Sequence, residues 1–246
     1  MAEFFIKYGE KEHLQQIVDG KLRFTPSQTY IKIEEKQHNK GQGDLLEGRM
    51  KIKIEGARMY HPETNEYLGT LPKSTVVISI QDVSNMPIFC LSYYGEESIV
   101  DVEGLTTIDI DAEHIDGVKK DFLKATHALI LFEPEKFISS VEKIEGKHFV
   151  SGEIKYYDYD MNPIQMYMFL TMGTEEIQTD KYLSMTYDNR YRHLLCKDVA
   201  FENQRQYRFI GLDDLISNPA FYNFKYNGKY LIVPIDDLMT KSIVVQ

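Results

Sequence analysis

The chain has 246 residues, of which 43% are hydrophobic and 12% aromatic. That composition excludes intrinsic disorder and suits one large domain. With 28 Lys and Arg against 38 Asp and Glu, the formal net charge is −10, which repels a phosphate backbone at long range and argues against nucleic acid as partner.

The two cysteines, Cys90 and Cys196, sit in apolar contexts and read as core residues, not as a disulfide framework or zinc site. Position 1 begins Met-Ala-Glu-Phe, with no basic leader. No apolar run approaches the roughly 20 residues that span a bilayer. The expectation is a soluble cytoplasmic protein without a membrane partner.

In chain order, Phe4–Lys7 predicts a strand and Glu10–Asp19 a helix, with Leu14, Ile17 and Val18 on one side and Gly20 just past its end. Lys21–Thr25 returns as a strand, and Pro26 and Ser27 open a second helix to about Lys36. Gln37–Gly48 is a polar, glycine-bearing loop, of the kind that forms lids or binding loops. Met50–Tyr60 alternates. After a turn at Pro62–Asn65, Glu66–Thr70 and Ser74–Gln81 are expected to pair with it, so 50–81 is a β-hairpin excursion.

Pro87–Tyr93 predicts a strand, Asp111–Lys124 a helix and Thr126–Phe132 a buried strand. Pro134–Ile144 predicts a helix with Pro at its first position, and His148–Tyr157 a strand. Asn162–Met172 is apolar nearly all round and is expected to be a buried helix. Glu175–Ser184 predicts another helix and Arg190–Lys197 a short helical piece. Phe201–Ile210 reads as a strand, Tyr222–Pro234 as a hairpin around Asn227-Gly228, and Ser242–Val245 as a sheet edge. Strands and helices mix without strict alternation. The expected class is therefore α+β, one domain over 1–246, with a mixed, mostly antiparallel central sheet and flanking helices.

The 201–210 stretch carries the most functional information. As a strand, it would put Glu202, Gln204, Gln206 and Arg208 on one face, forming either a solvated edge or the floor of a polar cleft. Seven histidines show no metal-ligand spacing, so no metal is expected. Gly41-Gln42-Gly43 does not complete a phosphate-binding loop, and no nucleophile–histidine signature is present. Glu153-Ile154-Lys155, with Glu133 at the end of the preceding strand, is a nuclease-like pattern in which two carboxylates would hold Mg²⁺. The run Tyr156–Asp160 is aromatic and acidic, and reads as a strand end or as a grip on a base-like ligand.

Three opening segments, Phe5-Ile6-Lys7-Tyr8-Gly9, Glu12-His13-Leu14 and Gly20–Pro26, resemble the start of the bacterial domain-of-unknown-function 2971 family. The loop Gly41–Gly48, Leu131–Phe137, Gly152–Tyr156 and Glu202–Phe209 follow in that family's order. The layout is also similar to a remote relative of ADP-ribosyltransferases. That resemblance implies NAD as cofactor, held by Lys7 and Tyr8, Arg23, Ser27, Tyr30 and Asp44. It implies a late-strand pair at Gln206 and Arg208, where the family pattern carries a glutamate in place of Gln206.

A glutamine cannot ionise to stabilise a developing cation, so the catalytic carboxylate falls to Glu202 or to Glu47 of the loop. Otherwise the chain is a non-catalytic, protein-binding member. Arg208 has a second reading, as a salt bridge to Asp44 or Glu47 that closes the loop onto the sheet. The resemblance implies a setting in bacterial or phage conflict, as toxin, defence or counter-defence, with a small nucleotide or a protein as partner.

Overall fold

The computed structural model describes residues 3–37, 41–171, 189–240 and 243–244. The elements are β1 (Phe4–Gly9), α1 (Lys11–Val18), β2 (Lys21–Pro26), α2 (Gln28–Gln37), β3 (Arg49–Tyr60), β4 (Tyr67–Ser79), α3 (Gln81–Asn85) and β5 (Pro87–Tyr94). Next come β6 (Ile99–Val102), β7 (Leu105–Ile108), α4 (Ala112–Asp121), β8 (His127–Leu131), α5 (Pro134–Glu142), β9 (Phe149–Glu153), β10 (Lys155–Tyr157) and α6 (Ile164–Thr171). The chain closes with β11 (Cys196–Asp198), β12 (Gln206–Gly211), β13 (Ala220–Asn223), β14 (Tyr230–Pro234), α7 (Asp237–Thr240) and β15 (Ile243–Val244). Short 3₁₀ turns occupy Glu96–Ser98, Arg190–Leu195 and Val199–Gln204. The class is α+β, with a mainly antiparallel eight-stranded sheet.

That sheet forks at β5. Along one edge, β5 pairs with β12, which in turn pairs with β9. Along the opposite edge it pairs with two strands in succession. Pro87 and Ile88 face β2, whereas Ser92, Tyr93 and Tyr94 face β1. From there one arm continues through β1, β8 and β14, and the other through β2 and β13. Both arms bury aromatic and aliphatic side chains by strand alternation. On one face Phe5, Phe24, Phe89 and Phe209 pack under α1 and against Phe137 of α5. On the other Phe4, Ile6, Tyr94 and Ile130 pack against Ile115 of α4 and Leu238 of α7.

Several expectations need correction. Phe201–Ile210 is not one strand: Val199–Gln204 is a 3₁₀ turn, Arg205 is left-handed at φ 45°, and the strand begins at Gln206. Glu202 therefore shares no strand face with Arg208. Asn227-Gly228 does not close a hairpin. Its flanking strands β13 and β14 pair with β2 and β8 on opposite arms of the fork, so the segment bridges the arms. The predicted strand 148–157 breaks at Ile154: its N–H still donates to Gln206 O (2.8 Å), in register with the β9–β12 ladder, but Lys155–Tyr157 then leave that sheet to pair with β11.

The helix expected to be buried all round leaves Ile164 and Met168 at 69% and 42% exposure. Glu66–Thr70 and Ser74–Gln81 fuse into β4. The β3–β4 ladder skips the Gly56–Pro72 position, so the missing proline N–H interrupts nothing. A β6–β7 hairpin went unpredicted; its turn residues Glu103 and Gly104 both have positive φ, 55° and 82°. The predicted helix Glu175–Ser184 lies outside the described residues. Gly20 does follow α1 with φ 88°, as its position predicts.

Candidate functional site

The fork creates the site. Between Ile88 and Ser92, no strand among the described residues pairs with the divided edge of β5, so the backbone of Cys90 faces the gap. Lys7, from β1, reaches into the gap and donates from Nζ to Cys90 O (2.5 Å), with its ammonium 4.9 Å from the centre of the Phe89 ring. Burial lowers the Lys7 pKa, aided by Arg23 and opposed by Cys90.

On β12 the period of two puts Gln206 and Arg208 on the face opposite Phe209. Arg208 lies at 1% exposure and meets the equally buried Glu47 through two parallel bonds, Nη1–Oε1 at 2.5 Å and Nη2–Oε2 at 3.2 Å. Arg208 also donates to Leu194 O (2.5 Å) and to Gln206 Oε1 (3.0 Å), which leaves its Nε without a hydrogen-bond partner. Gln206 Nε2 passes the network to Gln204 Oε1 (2.6 Å). Gln204 donates in turn to Asp121 Oδ2 (2.7 Å) and to Gly41 O (2.8 Å). Lys197, also buried, joins Gln204 at 3.3 Å and Asp44 at 3.9 Å. The result is a continuous polar network inside the protein, of the kind that is costly unless satisfied.

The segment 41–48 covers this network. Asp44 folds it back on itself, accepting from Leu46 N (2.9 Å), while Leu45 N donates to Glu34 of α2 (2.7 Å). Its first glycines are required by space: a Cβ on Gly41 would stand 2.5 Å from the Asp121 backbone, and one on Gly43 would stand 2.4 Å from the Glu34 backbone. Burial pushes the Asp44 carboxyl up to about 6, partly offset by Lys197.

Two spaces adjoin the network and meet at Gln206. A small, partly open pocket of about 60 Å³ lies in the fork, among Lys7, Tyr8, Tyr30, Glu47, Gln206 and Arg208. An open cleft of about 1000 Å³ lies outside it, between α4, the 3₁₀ turn at 199–204 and the end of β9. Tyr93 and Tyr156 give the cleft aromatic walls. The carboxylates Glu97, Asp111, Glu113, Asp121, Glu153 and Glu202 line it, against Lys120 and Arg205. Arg205 sits 3.3 Å from Glu97 and 5.4 Å from the centre of the Tyr94 ring.

The structure thus divides the residues expected from sequence. Lys7, Tyr8, Tyr30, Glu47, Gln206 and Arg208 line one cavity. Glu202 instead lines the open cleft. Arg23 is exposed and lines a shallow pocket of about 280 Å³ beside Tyr8 and Gln42. Ser27 is buried and donates to Val83 O (2.7 Å), and Asp44 is held within the network.

Sequence reasoning missed Tyr94, His114, Asp121, Lys197 and Arg205. Arg205 enters through a left-handed backbone that no glycine or asparagine marks, and Asp121 and His114 through the docking of α4.

The nuclease pattern does not assemble. Glu133 starts α5 beside β14, where it accepts from Lys229 N (2.7 Å) and pairs with Lys136. Glu153 ends β9, four strands away. Lys155 turns onto the Phe169 ring (5.2 Å). Among the described residues no group of three or more His, Cys, Asp or Glu converges on a metal position, and no helix is long and apolar enough to cross a membrane.

No protein-family model, curated protein or solved structure matches the chain.

Proposed function

We propose that the open cleft binds NAD or a closely related nucleotide and that the chain catalyses glycosyl-type transfer from it. One observation carries this reading. A single cleft of about 1000 Å³ combines two aromatic walls, two cations and several carboxylates, and ends on Gln206 of the buried network. That volume suits a ligand of nucleotide size. Tyr93 and Tyr156 offer faces for a base. Arg205 and Lys120 are the cations available to a diphosphate. The surrounding carboxylates favour a positively charged ring and the cationic ribose formed as its glycosidic bond breaks.

The bond between the ribose carbon and the ring nitrogen breaks, the electron pair leaves with nicotinamide, and an acceptor nucleophile takes the ribose. Gln206 supplies no charge for this step, and Glu47 is held by Arg208 away from the cleft. Of the other cleft carboxylates, Glu97 is paired with Arg205, Asp111 caps α4 and Asp121 accepts from Gln204. Glu202, two residues before Gln204, and Glu153, at the end of β9 beside β12, lie nearest the Gln206 end of the cleft and take the stabilising role. The resemblance noted above adds a setting in bacterial or phage conflict.

Release of nicotinamide from NAD tests the proposal. Glu202→Gln is expected to lower the rate by at least ~10²-fold, the scale of losing one electrostatic stabiliser. An unchanged rate would remove Glu202 from the role. A second reading, ligand binding without turnover, is favoured by the non-ionisable Gln206. It predicts saturable binding with no nicotinamide release.

A further inference from the structure

The small pocket in the fork and the open cleft are joined by a second path that does not pass through Gln206. Tyr8, which lines the cavity, has its hydroxyl 2.6 Å from the hydroxyl of Tyr94. The Tyr94 hydroxyl is in turn 2.7 Å from Nε2 of His114, which lines the cleft. Three elements supply these groups: β1, β5 and α4. We propose that Tyr8, Tyr94 and His114 form a proton relay, through which a hydroxyl or carboxamide group held in the fork pocket exchanges a proton with the open cleft.

The surroundings isolate the relay. Tyr94 is fully buried and Tyr8 nearly so. The Phe4 ring stacks on Tyr94 at 5.1 Å and 6°, the Phe122 ring lies over Tyr8 at 6.5 Å, and Ile115 and Val118 belong to the same apolar cluster. In such a sheath hydrogen bonds polarise one another, and each hydroxyl must both donate and accept to stay satisfied.

Each tyrosine has one proton to donate, so the chain has two polarities. With Nε2 bare, Tyr94 donates to His114, Tyr8 donates to Tyr94, and the Tyr8 oxygen offers a lone pair to the cavity. With Nε2 protonated, His114 donates to Tyr94, Tyr94 donates to Tyr8, and Tyr8 offers its hydrogen to the cavity. The proton on one nitrogen in the cleft therefore sets the hydrogen-bonding sense of the cavity wall.

Proton transfer along the chain balances. The bond from the cavity group to its hydrogen breaks as a new Tyr8 O–H forms. The former Tyr8 proton passes to Tyr94, and the former Tyr94 proton passes to Nε2. The cavity group keeps the electron pair, and His114 holds the positive charge. Lys7 and Arg208 line the same pocket, and their positive charges favour the resulting anion.

The groups around His114 set its basicity. Burial and the Arg205 guanidinium hold its pKa below the ordinary histidine value, opposed by Asp111 at the start of α4. Glu97, paired with Arg205, and Glu113 also border the cleft there. Tyr94 is the facing group from the sheet.

The test needs no nucleotide and is independent of the reading above. In the full chain, carbon-13 at the tyrosine ring carbon bearing the hydroxyl and nitrogen-15 in histidine are followed by NMR as pH is varied. The Tyr8 signal is expected to move with the midpoint of His114 in the wild type, and to be flat through that range in Tyr94→Phe. Should Tyr94→Phe fail to fold, His114→Gln at the half-buried end breaks the same path and gives the same flat Tyr8 signal. A Tyr8 signal that stays flat in the wild type while His114 titrates overturns the relay. So does one that keeps its transition in Tyr94→Phe or His114→Gln.

Discussion

Arg208 and Glu47 are 161 residues apart in the chain and form a bidentate ion pair with both side chains 1% exposed. The pair ties the 41–48 segment to the centre of the sheet, which is the salt-bridge reading of Arg208 made from sequence. Its energetics are asymmetric. Two charges taken from water are balanced by each other, so removing one strands its partner in the interior.

Glu47→Gln or Arg208→Met alone is therefore expected to cost about 3–5 kcal/mol in urea unfolding. The double variant Glu47→Leu with Arg208→Met is expected to recover most of that loss. A double variant as unstable as the worse single one would show that the pair is irreplaceable by apolar packing.

Asp44 gives a pH signature. Its folded-state pKa of about 6 lies above the ordinary carboxyl value because of burial. The folded protein thus holds this proton more tightly than the unfolded chain. The associated stability is fully present below the unfolded value and is lost as pH rises through about 6. At ~1.4 kcal/mol per pKa unit the swing is on the order of a few kcal/mol. Asp44→Asn is expected to flatten the stability profile between roughly pH 4 and 6, read by denaturant unfolding at several pH values.

The glycines of the covering segment make a steric prediction. Gly43→Ala places a methyl group against the Glu34 backbone and is expected to cost about 1–3 kcal/mol, as overpacking does. Gly56→Ala, where nothing lies within 4 Å, meets only the strain of its φ of 64° and is expected to cost about 1 kcal/mol. Thermal unfolding of the two variants side by side checks the order.

Much of the sheet was legible because its strands alternate or run apolar, and α1 and α5 because their apolar spacing and end residues agree. Gln206 and Arg208 were correctly placed on one face by strand period. The same rule failed for Glu202, because the turn at Arg205 depends on backbone conformation that side-chain type does not reveal. Asn227-Gly228 carries a strong local hairpin signal, yet β13 and β14 gain more by pairing with separate arms of the fork. The cleft was invisible because it is made by docking α4 against the 199–204 turn, a long-range event with no local pattern.

The outer half of the β3–β4 ribbon makes a further prediction. Its tip exposes Tyr60, Tyr67 and Leu68, while its base packs Met50 into the cluster with Met166 and Leu170. A bare two-stranded ribbon adds little stability in water. Replacing Gly56–Pro72 with Asn-Gly, joining Glu55 to Lys73, is expected to change unfolding free energy by no more than about 0.5 kcal/mol, as surface changes do. A larger loss in urea unfolding would mean that the tip supports the body.

Titration calorimetry with NAD tests the cleft most directly. The wild type is expected to give a saturable one-site heat. Arg205→Ala, which removes an exposed cation of the cleft, is expected to abolish it, and Lys73→Ala, on the distant ribbon, to leave it unchanged. No saturable heat from the wild type, or an unchanged heat from Arg205→Ala, would contradict the assignment of the cleft as a nucleotide site.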